Sequence, residues 1–381
     1  MTELAENIGK KISGGYMDWL LVGSASALVL FGLITMNSFV ESNYFFEKQI
    51  IWFAVALIVF FGTSYIDWSF LKRTNVLITL FFGMIGLLGV LLLTVTAVKG
   101  AQSWISLGLF SIQPTDIAKI LLILILAKYF SRRHIEIANI RHIIVSGVYA
   151  CLLFILVALQ PDFGSAVIIA CVWFGMVLVS GISKKHLAAL FICGAVLFGL
   201  LWNFGFQDYQ KNRIISFIHP LSDIQNTGYN AFQSTIAVGS GEVIGKGIGY
   251  GTQSKLKFLP EYQTDFIFAA FAEEWGFVGV LLLFGAFGTL IWRIIANARR
   301  GAGNFEILFA LGLAILFMSH FFINVGMNTG LMPVTGITLP FVSYGGSHLI
   351  TSFFGLGLLV SMRRYMRSAH KEDTKREFLG I

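Results

Sequence analysis

DFIFAAFAEEWGFVGVLLLFGAFGTLIWRII, residues 265–295, is the stretch whose character governs every later reading of the chain. Its charged side chains are Asp265 at the start, Glu273 and Glu274 in the first third, and Arg293 near the end; none lies between Gly276 and Trp292. About 20 apolar residues in a helix cross a bilayer core about 30 Å thick, and this run exceeds that length without a proline. It predicts a membrane-spanning helix that begins near Asp265, where Thr264 or Asp265 is of the residue type that caps a helix. At about 1.5 Å per residue, Glu273 and Glu274 then lie roughly 12–14 Å further along that helix. Carboxylates at such depth are costly, so at least one needs a buried partner.

The rest of the chain has the same character. Hydrophobic residues make up 56% and charged ones only 12%, and the mean hydropathy is +0.78. A soluble domain needs more polar surface than this. Nine further apolar runs lie near 18–36, 48–66, 73–95, 115–131, 141–159, 163–181, 186–204, 305–326 and 342–362. The chain therefore reads as all-α, a single domain over 1–381, a polytopic integral membrane protein with about ten transmembrane helices and one large extracytoplasmic loop. The 37 Phe, 8 Trp and 11 Tyr suit a lipid-facing surface with rings at headgroup level, and the 40 Gly suit close helix approach. Cys151, Cys171 and Cys193 fall inside apolar runs without metal or disulfide spacing and read as small packing residues.

A net charge of +7 could point to nucleic acid, but its placement marks a membrane face and gives no nucleic-acid partner. Lys10, Lys11, Lys72, Arg73, Lys128, Arg132, Arg133, Arg141, Lys184, Lys185, Arg293, Arg299 and Arg300 all fall on one side of the alternating runs. Arg363, Arg364, Arg367, Lys371, Lys375 and Arg376 join them in the tail, 363–381. Positive residues in short loops stay cytoplasmic, so both termini are predicted on the cytoplasmic side. The short outer loops contain only Lys48 and Lys99, and the long segment 205–264 is the large outer loop. The polar N-terminal residues precede the first apolar run as a short tail, without the form of a cleavable signal.

Within that loop, GSGEVIGKGIGYGTQS, residues 239–254, is dense in glycine. A backbone so bare could approach a phosphate, but the run lacks the G-K-[ST] ending of a P-loop, and on spacing it reads as a plain flexible loop. Pro114 in QPTDIAK, 113–119, suits the first turn of a helix, which sets Asp116 and Lys119 three apart on one face. They form either a self-neutralising pair or a substrate contact with Lys119 facing a phosphate. Arg213, beside Lys211 and His219, is either a bidentate phosphate ligand or a snorkelling anchor at the interface. Asp162 in QPDFGSA reads as a helix cap. The connection NVGMNTGLMPVTGITLPFVSYGGS holds two prolines and many small or hydroxylated residues, and irregular backbone at membrane depth must line a cavity or be buried in protein.

At these residues the chain resembles the SEDS family of bacterial shape, elongation, division and sporulation proteins, whose branches include RodA and FtsW. QPTDIAK at 113–119, QPDFGSA at 160–166, NRIISF at 212–217, GTQSKLKFLPEYQTDFIFAAFAEEWG at 251–276 and PVTGITLPFVSYGGS at 333–347 carry the resemblance across essentially the whole chain. The GTQS run is similar to the RodA branch, which serves elongation, whereas TLPFVSYGGS leaves the FtsW division branch open.

The resemblance implies a peptidoglycan glycosyltransferase in the bacterial cytoplasmic (inner) membrane that polymerises lipid II. It implies Asp265 as catalytic residue, with Lys119, Asp116, Arg213, Gln253 and Ser347 as substrate-binding residues. Here Thr115 replaces the family's serine and Asp116 its glutamate, so the carboxylate reaches one methylene less far. It also implies a class B penicillin-binding protein, a transpeptidase, as partner beside membrane lipids. Glycosyl transfer from a lipid diphosphate needs a base and compensation for the leaving charge. Asp265 fills the first role; Lys119 and Arg213 fill the second, with a divalent cation (Mg²⁺ or Mn²⁺) as the one cofactor the diphosphate invites, although no metal motif is visible. A lipid II flippase or other transporter would use intramembrane charges and a central cavity in the same way.

Overall fold

The computed structural model describes residues 17–39, 44–94, 104–106, 111–132, 140–219, 228–256, 258–299 and 303–379, without the side chains of Ser106, Tyr209 and 365–379. Lys10, Lys11, Lys99, Arg133 and Arg300 lie outside the described residues, as do residues 220–227 of the outer loop and the side chains of Arg367, Lys371, Lys375 and Arg376.

Each of the ten apolar runs coincides with a helix. These are α1 (Trp19–Asn37), α2 (Tyr44–Tyr65), α3 (Thr74–Thr94), α4 (Pro114–Ser131), α5 (Ile140–Leu159), α6 (Phe163–Val179), α7 (Lys184–Leu200), α11 (Ile267–Ala298), α12 (Asn304–Asn328) and α13 (Gly346–Leu379). Three shorter helices occupy the long loop: α8 (Asp208–Ile218), α9 (Tyr229–Ser240) and the single turn α10 (Thr252–Lys255). A two-stranded antiparallel ribbon, β1 (Ile105–Ser106) with β2 (Ser111–Ile112), leads into α4.

Among the described residues, seven of the helices are long and apolar enough to cross a membrane by length and composition, α7 because a π turn continues it to Gly205. Two of the other three depart for visible reasons: α4 carries Asp116, Lys119 and Lys128 in 18 residues, and α6 has only 17.

α4 is the centre of the bundle. Fourteen of its residues are buried, including Asp116 and Lys119, and it packs against α6 and α12. Around it α1 lies on α11, α11 on α12, and α2 on α13. At the other extreme, α7 has no buried residue. A helix apolar all round that buries nothing against its neighbours is solvated by lipid. Cys151 and Cys193 are likewise exposed, so they do not pack the core.

One face of the bundle is pinned by charge. Asp18 caps α1 and accepts from the main-chain N–H of Leu21 (3.1 Å), from Arg293 (2.7 Å to Nη2) and from Asn297 (2.9 Å). Arg363 of α13 donates to Asn297 (2.7 Å), and Lys72 pairs with Glu306 at the start of α12. These are residues the charge alternation sets on a single side.

The run 265–295 is not one straight helix. At Gly276 φ is +64° and ψ is −167°, outside the helical region, and Phe268 stacks on Phe284 with ring centroids 6.1 Å apart. In an unbroken helix those residues would be separated by about 24 Å. The half-helix 267–275 therefore folds back beside 277–298. Glu274 sits at the turn, bonded to Ser38 just past the end of α1 that is far from Asp18. The expected depth order is thereby corrected: Glu273 and Glu274 occupy the turn at the end of the bundle away from Asp18, and the chain before it runs back from that turn to Asp265.

Candidate active site

Asp265 closes a tight turn rather than capping a helix. The carbonyl of Glu261, a residue at φ +48°, accepts the N–H groups of Thr264, Asp265 and Phe266 at 3.1–3.2 Å. The N-cap is Phe266, with no side-chain cap bond, and the Thr264 hydroxyl turns back to Glu261. The capping reading of Thr264 and Asp265 is therefore replaced by a backbone turn.

Three successive carbonyls of this turn are bound from outside it. That of Gln263 accepts the N–H of Tyr344 (2.9 Å), and that of Thr264 accepts the Ser343 hydroxyl (2.6 Å). The Asp265 carbonyl accepts two side-chain amides, from Asn324 (2.9 Å) and Asn328 (3.0 Å). Gly336, at φ +74°, passes so close that a Cβ built there would lie 3.4 Å from Asp265 Oδ2. Asp265 is half-buried.

Tyr344, Ser343 and Gly336 belong to 331–345, the part of the connection 324–347 singled out from sequence that lies between α12 and α13; Asn324 and Asn328, at the start of that run, are still helical. Leu339, Phe341, Val342 and Ser343 are buried, and the polar backbone of 331–345 is bound by side chains: Gln49 donates to the Ser343 carbonyl (3.2 Å) and Asn324 to that of Ile337 (2.7 Å). Backbone without helical bonds is stable at membrane depth only on such terms.

Lys119 and Asp116 form a closed pair, 3.0 Å apart, with both side chains 4% exposed. A small cavity beside them is also lined by His320, His348, Thr351 and Ser352. Asp116 Oδ2 and the Thr115 hydroxyl have no hydrogen-bond partner among the described residues. The pair reaches the Asp265 turn through a relay. The His320 and His348 rings are 5.0 Å apart, His320 Nδ1 contacts the Thr338 carbonyl (3.2 Å), and the adjacent Ile337 carbonyl is held by Asn324. Ser347, in the first turn of α13, accepts the Gln113 N–H (3.0 Å) and so anchors the start of α4. Gln113 also donates to Asp162 (2.9 Å), which caps α6 through the Ser165 N–H (3.0 Å), as its position in QPDFGSA predicts.

Gln253 belongs to a different cluster. Its main-chain N–H donates to Glu273, which is fully buried and also accepts from the Lys246 ammonium (2.7 Å) and from the N–H and hydroxyl of Thr252 (2.8 Å each). The glycine-dense run is thus not a plain flexible loop. It is bound along the break in α11, where the N–H groups of Lys246 and Gly247 donate to the carbonyls of Glu273 and Glu274 at 3.0 Å. Its bare backbone serves this approach: a Cβ on Gly245 would stand 2.1 Å from the Glu274 oxygen. Arg213 lies half-buried on α8.

His320 is missed from sequence, and Asn324 and Asn328, although inside the run read as an irregular connection, are not picked out as site residues and are helical. The three recur every fourth position in α12 and so share one helix face. Polar groups recurring on one face of an apolar run are the available signal. Among the described residues, no group of three or more His, Cys, Asp or Glu is placed to hold a metal ion.

A model of the FtsW, RodA and SpoVE family, described as cell cycle proteins, matches residues 17–368. Among curated proteins, the peptidoglycan glycosyltransferase MrdB of Escherichia coli K12 is 39% identical over 276 residues, spanning 72% of this chain and 74% of its own. The probable peptidoglycan glycosyltransferase FtsW of Haemophilus influenzae is 35% identical over 360 residues, spanning 90% and 88%. Among solved structures, a chain of a peptidoglycan synthase complex that coordinates polymerization and crosslinking superposes with a TM-score of 0.78 at 30% identity, covering 91% of this chain and 98% of that one. The rod shape determining protein RodA of Thermus thermophilus gives 0.68 at 29% identity, covering 91% and 96%.

Proposed function

We propose that this chain, which belongs to the FtsW/RodA/SpoVE family of cell cycle proteins, is a peptidoglycan glycosyltransferase with Asp265 as its base. Its curated relatives are named for that activity. The observation that carries the assignment of Asp265 is the turn itself, whose three consecutive carbonyls are bound by α12 and the connection to α13. Such a frame fixes a carboxylate before substrate arrives, as general base catalysis requires.

The substrate is lipid II, a disaccharide-peptide on a polyprenyl diphosphate. The Asp265 carboxylate takes the proton of a sugar hydroxyl on one unit as that oxygen attacks the anomeric carbon of another. The new glycosidic bond forms as the bond to the diphosphate breaks, and the lipid diphosphate leaves with the electron pair. Lys119 and Arg213 compensate the leaving charge; for Lys119 this means opening its pair with Asp116. Gln253, Asp116 and Ser347 act through the frame that holds the substrate.

A divalent cation, Mg²⁺ or Mn²⁺, fits as a companion of the substrate diphosphate with Asp265 as one carboxylate ligand, since Mg²⁺ is commonly held by one or two carboxylates plus phosphates. When bound, it would add charge stabilisation at the leaving group.

The elongation role follows the RodA-like residues of the GTQS run and the likeness to RodA. The division role belongs to FtsW-like relatives. The proposed partner is a class B penicillin-binding protein, and the setting is the cytoplasmic membrane with both termini inside. Purified protein, with and without that partner, should polymerise labelled lipid II, and Asp265→Asn should reduce strand synthesis to a small residual rate while the variant stays folded. Equal rates would remove Asp265 as base; transbilayer movement of lipid II without polymer would replace the transferase by a flippase.

A further inference from the structure

We propose that Asn324 and Asn328 are positioning residues for glycosyl transfer: their amides hold the Asp265 main-chain oxygen and thereby set where its carboxylate meets the sugar hydroxyl. This rests on the reading of Asp265 as base.

Both asparagines are fully buried in a largely apolar helix, where an amide is costly unless each of its polar atoms is bound. Here the polar atoms are bound, and the bonds converge on one point. Asn324 Nδ2 donates to the carbonyls of Asp265 (2.9 Å) and Ile337 (2.7 Å). Asn328 Nδ2 donates to the carbonyls of Asp265 (3.0 Å) and Asn324 (2.8 Å). Asn328 Oδ1 accepts the Ala269 N–H (3.2 Å) and the hydroxyl of Ser234 (3.2 Å) on α9. The two amides therefore tie four segments together: α9, the start of α11, α12, and the connection through Ile337, whose neighbour Gly336 passes the carboxylate itself.

Helix packing alone would be served by leucines at both positions. What two amides supply instead is a fixed place for one backbone oxygen, one residue before the N-cap of the half-helix. A displacement of about 1 Å at a reacting group can cost on the order of a hundredfold in rate. Because the clamp acts on orientation, its loss falls on kcat while substrate affinity stays.

The test is steady-state polymerisation of labelled lipid II by the full-length protein, with its transpeptidase partner if that is needed for basal activity. Asn324→Leu and Asn328→Leu should lower kcat roughly ten- to a hundredfold with KM within about twofold. In an Asp265→Asn background, Asn328→Leu should lower the residual rate no further, since residues acting through one group are non-additive. A full further loss in that background, or a raised KM at unchanged kcat, would overturn the proposal. If the leucine variants do not fold, Ser343→Ala removes a single hydroxyl from the same frame and should lower kcat severalfold at constant KM; no change overturns the proposal. Wild-type rates in the asparagine variants beside an inactive Asp265→Asn would sink the clamp alone, whereas a fully active Asp265→Asn would sink the base and the clamp with it.

Discussion

Asp18 and Asp265 stand toward opposite faces of the bundle, and side-chain amides reach both, at the carboxylate of the first and the main-chain oxygen of the second. At Asp18 the carboxylate is the target: Arg293, Asn297 and the Leu21 N–H all donate to it, and the residue is 4% exposed. Burial raises its carboxyl pKa, but the Arg293 and Asn297 bonds outweigh that and hold it below the usual 3.8. At Asp265 the clamp falls on main-chain oxygens, and the side chain lies beside a glycine. Donors on the Asp18 carboxylate fasten elements together; two amides on the Asp265 carbonyl fix the backbone that carries its carboxylate. Glu273, with donors from Lys246, Thr252 and Gln253, is a second fastener only eight residues along the chain from Asp265.

The largest effect that could break this contrast is on catalysis. Asp265→Asn should lower lipid II polymerisation by roughly 10²–10⁴-fold, the usual worth of a general base, with the thermal unfolding temperature unchanged. A large loss of stability instead would make Asp265 a fastener too.

Arg293→Ala should do the opposite. It removes the nearest cation from the Asp18 carboxylate, which keeps Asn297, the Leu21 N–H and Arg363 at 3.5 Å, and costs up to about 3 kcal/mol of stability, read as early thermal unfolding, while the folded fraction keeps its polymerising rate. Next comes Gly276→Ala, which forces a side chain onto a residue at φ +64° and sets a Cβ 2.1 Å from the Gly245 nitrogen. About 3 kcal/mol of destabilisation is expected, with both stability and activity reduced because the half-helix that carries Asp265 shifts.

Acid sharpens the comparison further. The folded Asp18 carboxyl titrates below its unfolded value of 3.8, so its contribution is complete above about pH 4 and fades as pH falls through the folded value. Asp18→Asn should remove that part of the acid sensitivity, measured as unfolding temperature against pH. Lys246→Ala should matter least. Its ammonium side chain is 30% exposed and Glu273 retains its other donors, so a change of about 1 kcal/mol or less is expected in the same unfolding assay.

Part of this was legible in the residues. Asp116 and Lys119 pair because positions three apart share a helix face, and Asp162 caps because it precedes an apolar run after a proline. The connection 331–345 is buried because bare backbone at membrane depth has no other stable place. The N-cap expected at Asp265 was not found, since the same residue type serves a turn equally well and only the Glu261 carbonyl distinguishes the two. The glycine-dense run misleads for a similar reason: freedom from side chains suits a mobile loop, a phosphate cradle or close packing, and only the packing partner chooses among them.

By itself the sequence determined the membrane, the ten helical runs and the residues able to carry charge into them, because hydrophobic length and charge spacing are local quantities. Only the tertiary structure decided that the longest run folds back at Gly276, that Glu273 and Glu274 sit at that turn, and that Asn324 and Asn328 reach the Asp265 carbonyl. Hydropathy runs unbroken across Gly276, and a hydrogen bond between residues 59 or 63 positions apart depends on which helix faces meet, which no local pattern specifies.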